Sequence, residues 1–149
     1  MPRIRPAHVD DLPATSAICL AAFTAAVAPS LGKAGIATFE SVAAADAFAA
    51  RLHGDNHILV AEHENRIVGV VELKEGRHLA MLFVDPACQG RGIGHALFEA
   101  ILSKVREPVL TVRASLNAVA TYQRYGFVLD GDVGEFNGLV YQPLSYAAP

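Results

Sequence analysis

The chain has 149 residues, of which 52% are hydrophobic and 18% charged, and its formal net charge is -3. These values favour one folded domain over 1–149 and exclude a disordered chain, and without a basic run they give no sign of nucleic-acid binding. Two cysteines do not make a disulfide framework, so we expect a protein of the reducing cytoplasm. No apolar run reaches the roughly 18 residues of a membrane span, so we expect no membrane partner.

The first third of the chain predicts a short strand followed by two helices. The first helix begins near Asp10 or Asp11, either of which can cap it, and Pro13 fits its first turn. Apolar residues at helical spacing then predict one continuous second helix over 38–53, which Gly54 ends.

The middle of the chain predicts an antiparallel meander. The segments 57–63, 66–74 and 77–84 are rich in Val, Ile, Leu and Phe, and the dipeptides between them, "EN" and "EG", are short enough for hairpins. The last third predicts a helix from Ile93 that Pro108 ends, a strand, a short helix and two closing strands. The resulting order is mixed, which indicates an α/β or α+β fold with a mixed sheet and about four helices.

The stretch "CQGRGIG", residues 88–94, lies between a predicted strand and a predicted helix. Glycines there allow successive amides to converge on one anion at the helix N-terminus, although a tight surface turn is the simpler alternative. A dinucleotide fingerprint is excluded because His95 stands where it needs glycine, and a P-loop is excluded because Gly-Lys-Ser/Thr is absent. Cys88, the first residue of this stretch, is expected to face solvent.

Two sequence blocks resemble the signatures of the GNAT superfamily of N-acetyltransferases. "LFVDPACQGRGIGHALF" is similar to its acetyl-CoA signature, Gln/Arg-x-x-Gly-x-Gly/Ala, and "NAVATYQRYGF" is similar to its second signature. The resemblance implies a splayed, mostly antiparallel sheet. It also implies transfer of an acetyl group from acetyl-CoA to a primary amine of a small molecule or peptide, by direct attack in a ternary complex. A non-catalytic acyl-CoA-binding module of the same fold is the alternative, and a homodimer is common in the family.

The resemblance also implies which residues contact coenzyme A. The pantetheine arm would lie along the strand before the glycines, the pyrophosphate on the glycine stretch, and one further contact would come from the opposite lip. The residues are Leu82, Phe83 and Val84 for pantetheine, Gln89, Gly90, Arg91, Gly92, Ile93 and Gly94 for pyrophosphate, and Asn117 for the lip.

Acyl transfer to an amine needs a neutral amine, a stabilised oxyanion and a proton for the leaving thiolate. Tyr122 occupies the position of the family's proton-donating tyrosine, with core packing as the alternative. His78 is the first candidate base and Glu72, expected to share a face with Val68 and Val70, is the second. A chain of water on backbone carbonyls is the third possibility.

The remaining residues of interest have simpler interpretations. His57 and His63 are joined by no carboxylate cluster, so we predict no metal site. Phe23, Phe39, Phe48 and Phe136 could line an acceptor pocket, but core packing is favoured for each of them.

Overall fold

The structure is a computed structural model that describes residues 2–149. Its helices are α1 (Leu12–Ala26), α2 (Lys33–Val42), α3 (Ala45–Leu52), α4 (Ile93–Leu102) and α5 (Val119–Arg124). Its strands are β1 (Arg3–Pro6), β2 (Asn56–His63), β3 (Arg66–Lys74), β4 (His78–Val84), β5 (Val109–Ala114), β6 (Val128–Leu129), β7 (Gly134–Phe136) and β8 (Leu139–Ala147).

The strands form one mixed sheet in the order β1-β2-β3-β4-β5-β8-β6, with β7 paired to β8. Neighbouring strands run antiparallel except β4 and β5, which are parallel. The predicted fold class, a mixed and mostly antiparallel sheet flanked by helices, is confirmed. The structure has five α-helices rather than about four.

Three local predictions differ from the structure. The helix predicted over 38–53 is two helices, because Ala44 is extended (ψ 145°) and separates α2 from α3. Asp11 precedes α1 but makes no side-chain cap, since its carboxylate binds Arg5 at 2.8 and 3.0 Å. The short strand β7 was not predicted.

The meander is confirmed, and its turns have the backbone expected of two-residue hairpins. Glu64 and Asn65 have φ angles of 52° and 61°, and Glu75 and Gly76 have 54° and 68°. Two successive left-handed residues match the twist of antiparallel strands, which is why so short a link suffices.

Each face of the sheet carries its own apolar core. One core packs α4 against the sheet through buried side chains that include Leu97, Phe98 and Ile101. The other packs α1, α2 and α3 against the opposite face through side chains that include Phe23 and Phe48. We call these the α4 face and the α1–α3 face of the sheet.

Two β-bulges change which face a residue occupies. Val68 is the extra residue opposite the Ala61–Glu62 step of β2, and Ala80 is the extra residue opposite the Glu72–Leu73 step of β3. Val68 therefore packs on the α4 face whereas Val70 packs on the α1–α3 face, and the prediction that Glu72 shares a face with both was wrong.

Within residues 2–149 the helical segment Val9–Ala26 is long and apolar enough to cross a membrane, judged by length and composition. This corrects the expectation that no run reaches that length. The same test is passed by core helices, and Leu12, Cys19 and Phe23 of this segment are buried against the sheet.

Candidate active site

A cavity of about 630 Å³ lies where β4 and β5 separate. The two strands pair at His78–Thr111 and Leu79–Val112, and the bulge residue Ala80 follows directly. A bulge bends its strand, so β4 turns away from β5 at the residue where their ladder ends. The cavity is lined from the α4 face and from the α1–α3 face, so it passes through the sheet.

The edge of β4 presents unpaired backbone groups to this cavity. The Asp85 amide donates to the Val68 carbonyl at 2.8 Å, on the β3 side. Because backbone groups of successive strand residues point to opposite edges, the amides of Leu82 and Val84 point away from β3 and into the cavity. The Val84 carbonyl accepts a bond from the Gln89 side chain at 3.3 Å.

The glycine stretch forms the loop at the cavity mouth and starts α4. Gly90 and Gly92 have φ angles of 78° and 79°, a left-handed conformation that glycine adopts at least cost. The first α4 amide bonded to a helix carbonyl is that of Ala96, at 3.0 Å from the Gly92 carbonyl, and no side chain caps the helix. The preceding amides, including that of Gly94, are therefore free donors at the positive end of the helix dipole.

The opposite wall carries the second signature. Asn117 lines the cavity from a turn before α5, and Tyr122 lines it from α5. The Tyr122 ring is buried and packs edge-on against Phe127, with 5.3 Å between ring centroids. Burial raises the pKa of the Tyr122 phenol, which keeps the hydroxyl protonated at neutral pH. Tyr125 also lines the cavity, and burial raises its pKa as well.

His78 lies at the start of β4, where β4 and β5 are still paired, and is not among the cavity-lining residues. Its Nδ1 lies 2.8 Å from Thr111 Oγ1. Burial, aided by the charges of Arg113, Arg77 and Lys74, lowers the pKa of His78 to about 4. Its imidazole is therefore neutral at pH 7 but a weak base, and a catalytic role for it stays a prediction.

Glu72 is completely buried and held by two side chains on the α1–α3 face. Arg51 donates from Nε to Oε2 at 2.8 Å and from Nη2 to Oε1 at 3.2 Å, and Asn56 donates to Oε2 at 2.7 Å. The carboxylate is thus fully engaged, and Glu72 is not among the residues that line the cavity. This geometry explains its burial without a catalytic role.

A family model for the acetyltransferase (GNAT) domain matches residues 27–148. The chain belongs to the GNAT acetyltransferase family. The match includes both sequence blocks that carried the resemblance and all of β2 to β8, and it includes the cavity walls contributed by α2, β4 and α5.

Individual relatives agree with this family. Peptidyl-lysine N-acetyltransferase YiaC of Escherichia coli (strain K12) is 36% identical over 69 residues, and this match spans 46% of the chain and about half, 47%, of the relative. A structure of a GCN5-related N-acetyltransferase from Rhodopseudomonas palustris is 27% identical, with TM-score 0.87, covering 99% of this chain and 96% of that one. The PaiA N-acetyltransferase of Thermoplasma acidophilum in complex with coenzyme A shares the fold, with 17% identity, TM-score 0.81 and 99% of each chain covered.

Several walls of this GNAT cavity were not predicted as site residues. Phe23 and Phe39, for which core packing was favoured, line the cavity as well as belonging to the core. Phe48 packs in the same core as predicted, whereas Phe136 is 53% exposed, so core packing was wrong for Phe136. Arg113 and Tyr141 line it from β5 and β8. The alternation of polar and apolar side chains along β5 and β8, which are neighbours in the sheet, could have indicated that these two residues share a face. The strand separation that exposes them depends on the bulge at Ala80.

Two further observations concern metal binding and thiols. Residues 2–149 contain no group of three or more His, Cys, Asp or Glu side chains placed to hold a metal ion. Cys19 and Cys88 are both free and buried, so the expectation that Cys88 faces solvent was wrong.

Proposed function

We propose that this GNAT acetyltransferase transfers an acetyl group from acetyl-CoA to a primary amine by direct attack in a ternary complex. The observation that carries the proposal is the cavity through the sheet, with free backbone donors of β4 and the glycine loop at the α4 face. A cavity open to both faces lets donor and acceptor approach the same point from opposite sides.

The donor half fits a coenzyme A molecule. A Cβ at Gly90 or Gly92 would meet no described atom within 4 Å, so the loop offers its amides to an open space that a phosphate can occupy. The free edge of β4 can accept pantetheine as an added strand, with the amides of Leu82 and Val84 as donors. Gln89, Arg91, Ile93 and Asn117 complete this proposed contact set.

The chemical step uses one backbone donor and one side chain of this chain. The amine nitrogen attacks the thioester carbonyl carbon, and the amide of Leu82 or Val84 stabilises the oxyanion. The carbon–sulfur bond then breaks and Tyr122 donates its phenolic proton to the leaving thiolate. Burial raises the pKa of Tyr122, so the phenol is protonated before the step but is a weaker acid than an exposed tyrosine, and the phenolate regains its proton from water afterwards.

We propose that the amine loses its proton to water in the cavity. Among the described residues, no Asp or Glu side chain lines the cavity, and His78 with a pKa near 4 is a poor acceptor. This supports the water chain over the two side-chain candidates. The name of the relative YiaC, a peptidyl-lysine N-acetyltransferase, supports an amine as acceptor.

The donor site is tested with Gly92→Val and the matched control Gly131→Val. Both glycines have positive φ and room for a Cβ, but Gly131 (φ 115°) does not line the cavity. We expect Gly92→Val to weaken acetyl-CoA binding in calorimetry by about 10- to 100-fold, the scale of a lost bond to a charged group. Gly131→Val should bind acetyl-CoA as the parent does.

Unchanged affinity in a folded Gly92→Val protein would refute the loop as the pyrophosphate site. Thiol release with a panel of primary amines separates an enzyme from the non-catalytic binding module. Binding of acetyl-CoA without thiol release from any amine, including lysine peptides, would favour the binding module.

A further inference from the structure

Arg113 projects from β5 to the α1–α3 face of the sheet. Its neighbours Val112 and Ala114 are buried in the core of the α4 face, and side chains alternate along a strand. Arg113 therefore lines the half of the cavity opposite the glycine loop, on the side from which the acceptor would approach.

The Arg113 guanidinium has no carboxylate partner within residues 2–149. The arginines that form ion pairs in this part of the chain are Arg3, Arg5, Arg51, Arg66, Arg77 and Arg106. Arg113 instead lies over the Tyr141 ring, with its Cζ 4.7 Å from the ring centroid. This cation–π contact orients the guanidinium and leaves its N–H groups free.

The charge of the cavity wall has one sign. Of the Arg, Lys, Asp and Glu side chains between residues 2 and 149, those that line the cavity are Arg113 and Arg124. Arg124 belongs to α5, at the donor side, where its Nη2 donates to Thr121 Oγ1 at 3.1 Å. The acceptor half thus offers a single formal charge, and that charge is positive.

An aromatic wall lines the same half of the cavity as Arg113. The rings of Phe23 and Phe39 stack with centroids 4.0 Å apart, and Phe39 meets Phe83 edge-on at 5.4 Å. All three rings line the cavity. A ligand that fits this half needs an apolar group for the rings and an anionic group for the guanidinium.

We propose that the acceptor is a small amine that bears a carboxylate and an apolar side chain, the chemistry of an aromatic or aliphatic α-amino acid. The inference rests on the proposed function. Arg113 binds the carboxylate through paired N–H donors, the aromatic wall takes the side chain, and the α-amine faces the strand separation. The amine nitrogen forms the amide bond as the carbon–sulfur bond breaks, one amine proton passes to water and the thiolate takes the proton of Tyr122.

The test compares phenylalanine with phenethylamine, which is the same molecule without the carboxylate. We measure kcat/KM by thiol release for the parent protein, Arg113→Gln, Arg113→Lys and the control Arg3→Gln. Arg3 lies on the opposite edge strand β1 with its side chain 73% exposed, so its substitution removes the same charge far from the cavity. Calorimetry with coenzyme A confirms that each variant keeps the donor site.

The parent protein should prefer phenylalanine, and Arg113→Gln should reduce the ratio of the two kcat/KM values by about 10- to 100-fold, the scale of a charged hydrogen bond. Arg113→Lys should recover part of this ratio, because it keeps the charge but not the paired donors. Arg3→Gln should keep the parent ratio.

Equal turnover of both amines by the parent protein, or turnover of neither, would overturn the amino-acid acceptor. Loss of coenzyme A affinity in Arg113→Gln, with both amines affected alike, would overturn it in favour of a donor-side role. Failure of the proposed function has a different result, because in that case no amine, including a lysine peptide, supports thiol release.

Discussion

Replacing Arg51 with methionine tests whether Glu72 is a structural or a catalytic carboxylate. Glu72 is completely buried, and Arg51 supplies two of the three bonds to its carboxylate. Arg51→Met leaves a buried negative charge with the Asn56 amide as its remaining partner. Breaking a buried ion pair on one side costs about 3–5 kcal/mol, a large part of the 5–15 kcal/mol that a domain of this kind has.

The reverse substitution should cost less, because the two partners differ in exposure. The Arg51 side chain is 27% exposed, so in Glu72→Gln it can turn its charge towards solvent. We expect Glu72→Gln to cost about 1–3 kcal/mol, the range for one unsatisfied buried group. The double variant Arg51→Met/Glu72→Leu removes both charges and should recover most of the loss in Arg51→Met.

Urea unfolding followed by circular dichroism gives the three free energies of unfolding, and thiol release gives kcat for each folded variant. If Glu72 is structural, Arg51→Met should be the least stable variant, Glu72→Gln should lose less stability, and the double variant should recover most of the loss in Arg51→Met. The kcat of Glu72→Gln should then stay close to that of the parent. A loss in Arg51→Met below about 1 kcal/mol, as for an exposed pair, would refute the argument. Loss of turnover in a stable Glu72→Gln that still binds acetyl-CoA would instead make Glu72 the base.

Two further predictions concern the other candidate catalytic residues. Tyr122→Phe keeps the ring packing but removes the proton donor, so kcat should fall about 100-fold with acetyl-CoA affinity nearly intact; parent-like kcat would return Tyr122 to the core. Because the folded pKa of His78 is about 4, against 6.5 in the unfolded chain, the unfolded state takes up the proton first as the pH falls. The contribution of His78 to the free energy of unfolding is therefore fully present above pH 6.5 and is lost as the pH falls towards 4. His78→Asn should reduce the fall between pH 6.5 and 5 by up to about 2 kcal/mol in urea unfolding, and identical pH profiles would contradict the shift.

The parts of the fold that local chemistry decides were predictable from the sequence. The two hairpins follow from Asn65 and Gly76, which tolerate positive φ. The start of α4 at Ile93 follows from its apolar spacing after the glycines, although α4 ends at Leu102, well before Pro108. The break between α2 and α3 was not predictable, because "SVAAADAF" contains no helix breaker. Arg51 of α3 stabilises this break, because its Nη1 donates to the carbonyl of Val42, the last residue of α2, at 2.9 Å.

Part of the candidate site was likewise predictable from the sequence, and part was not. The glycine loop and α5 were found because short sequence blocks carry them, and their roles stay predictions. The half of the cavity on the α1–α3 face was missed because it depends on the bulge at Ala80, which reverses the side-chain alternation that a sequence pattern assumes. Beyond Ala80 the β5 edge at Arg113 and Ala114 has no β4 residue paired with it.

The passage through the sheet separates two kinds of recognition. The mouth at the α4 face includes main-chain amides of β4 and of the glycine stretch, which stay the same when side chains are replaced. The mouth at the α1–α3 face consists of side chains from α1, α2 and β8, and each replacement there changes its shape or charge. Substitutions can therefore change what the α1–α3 mouth accepts while the main-chain groups at the α4 mouth stay the same.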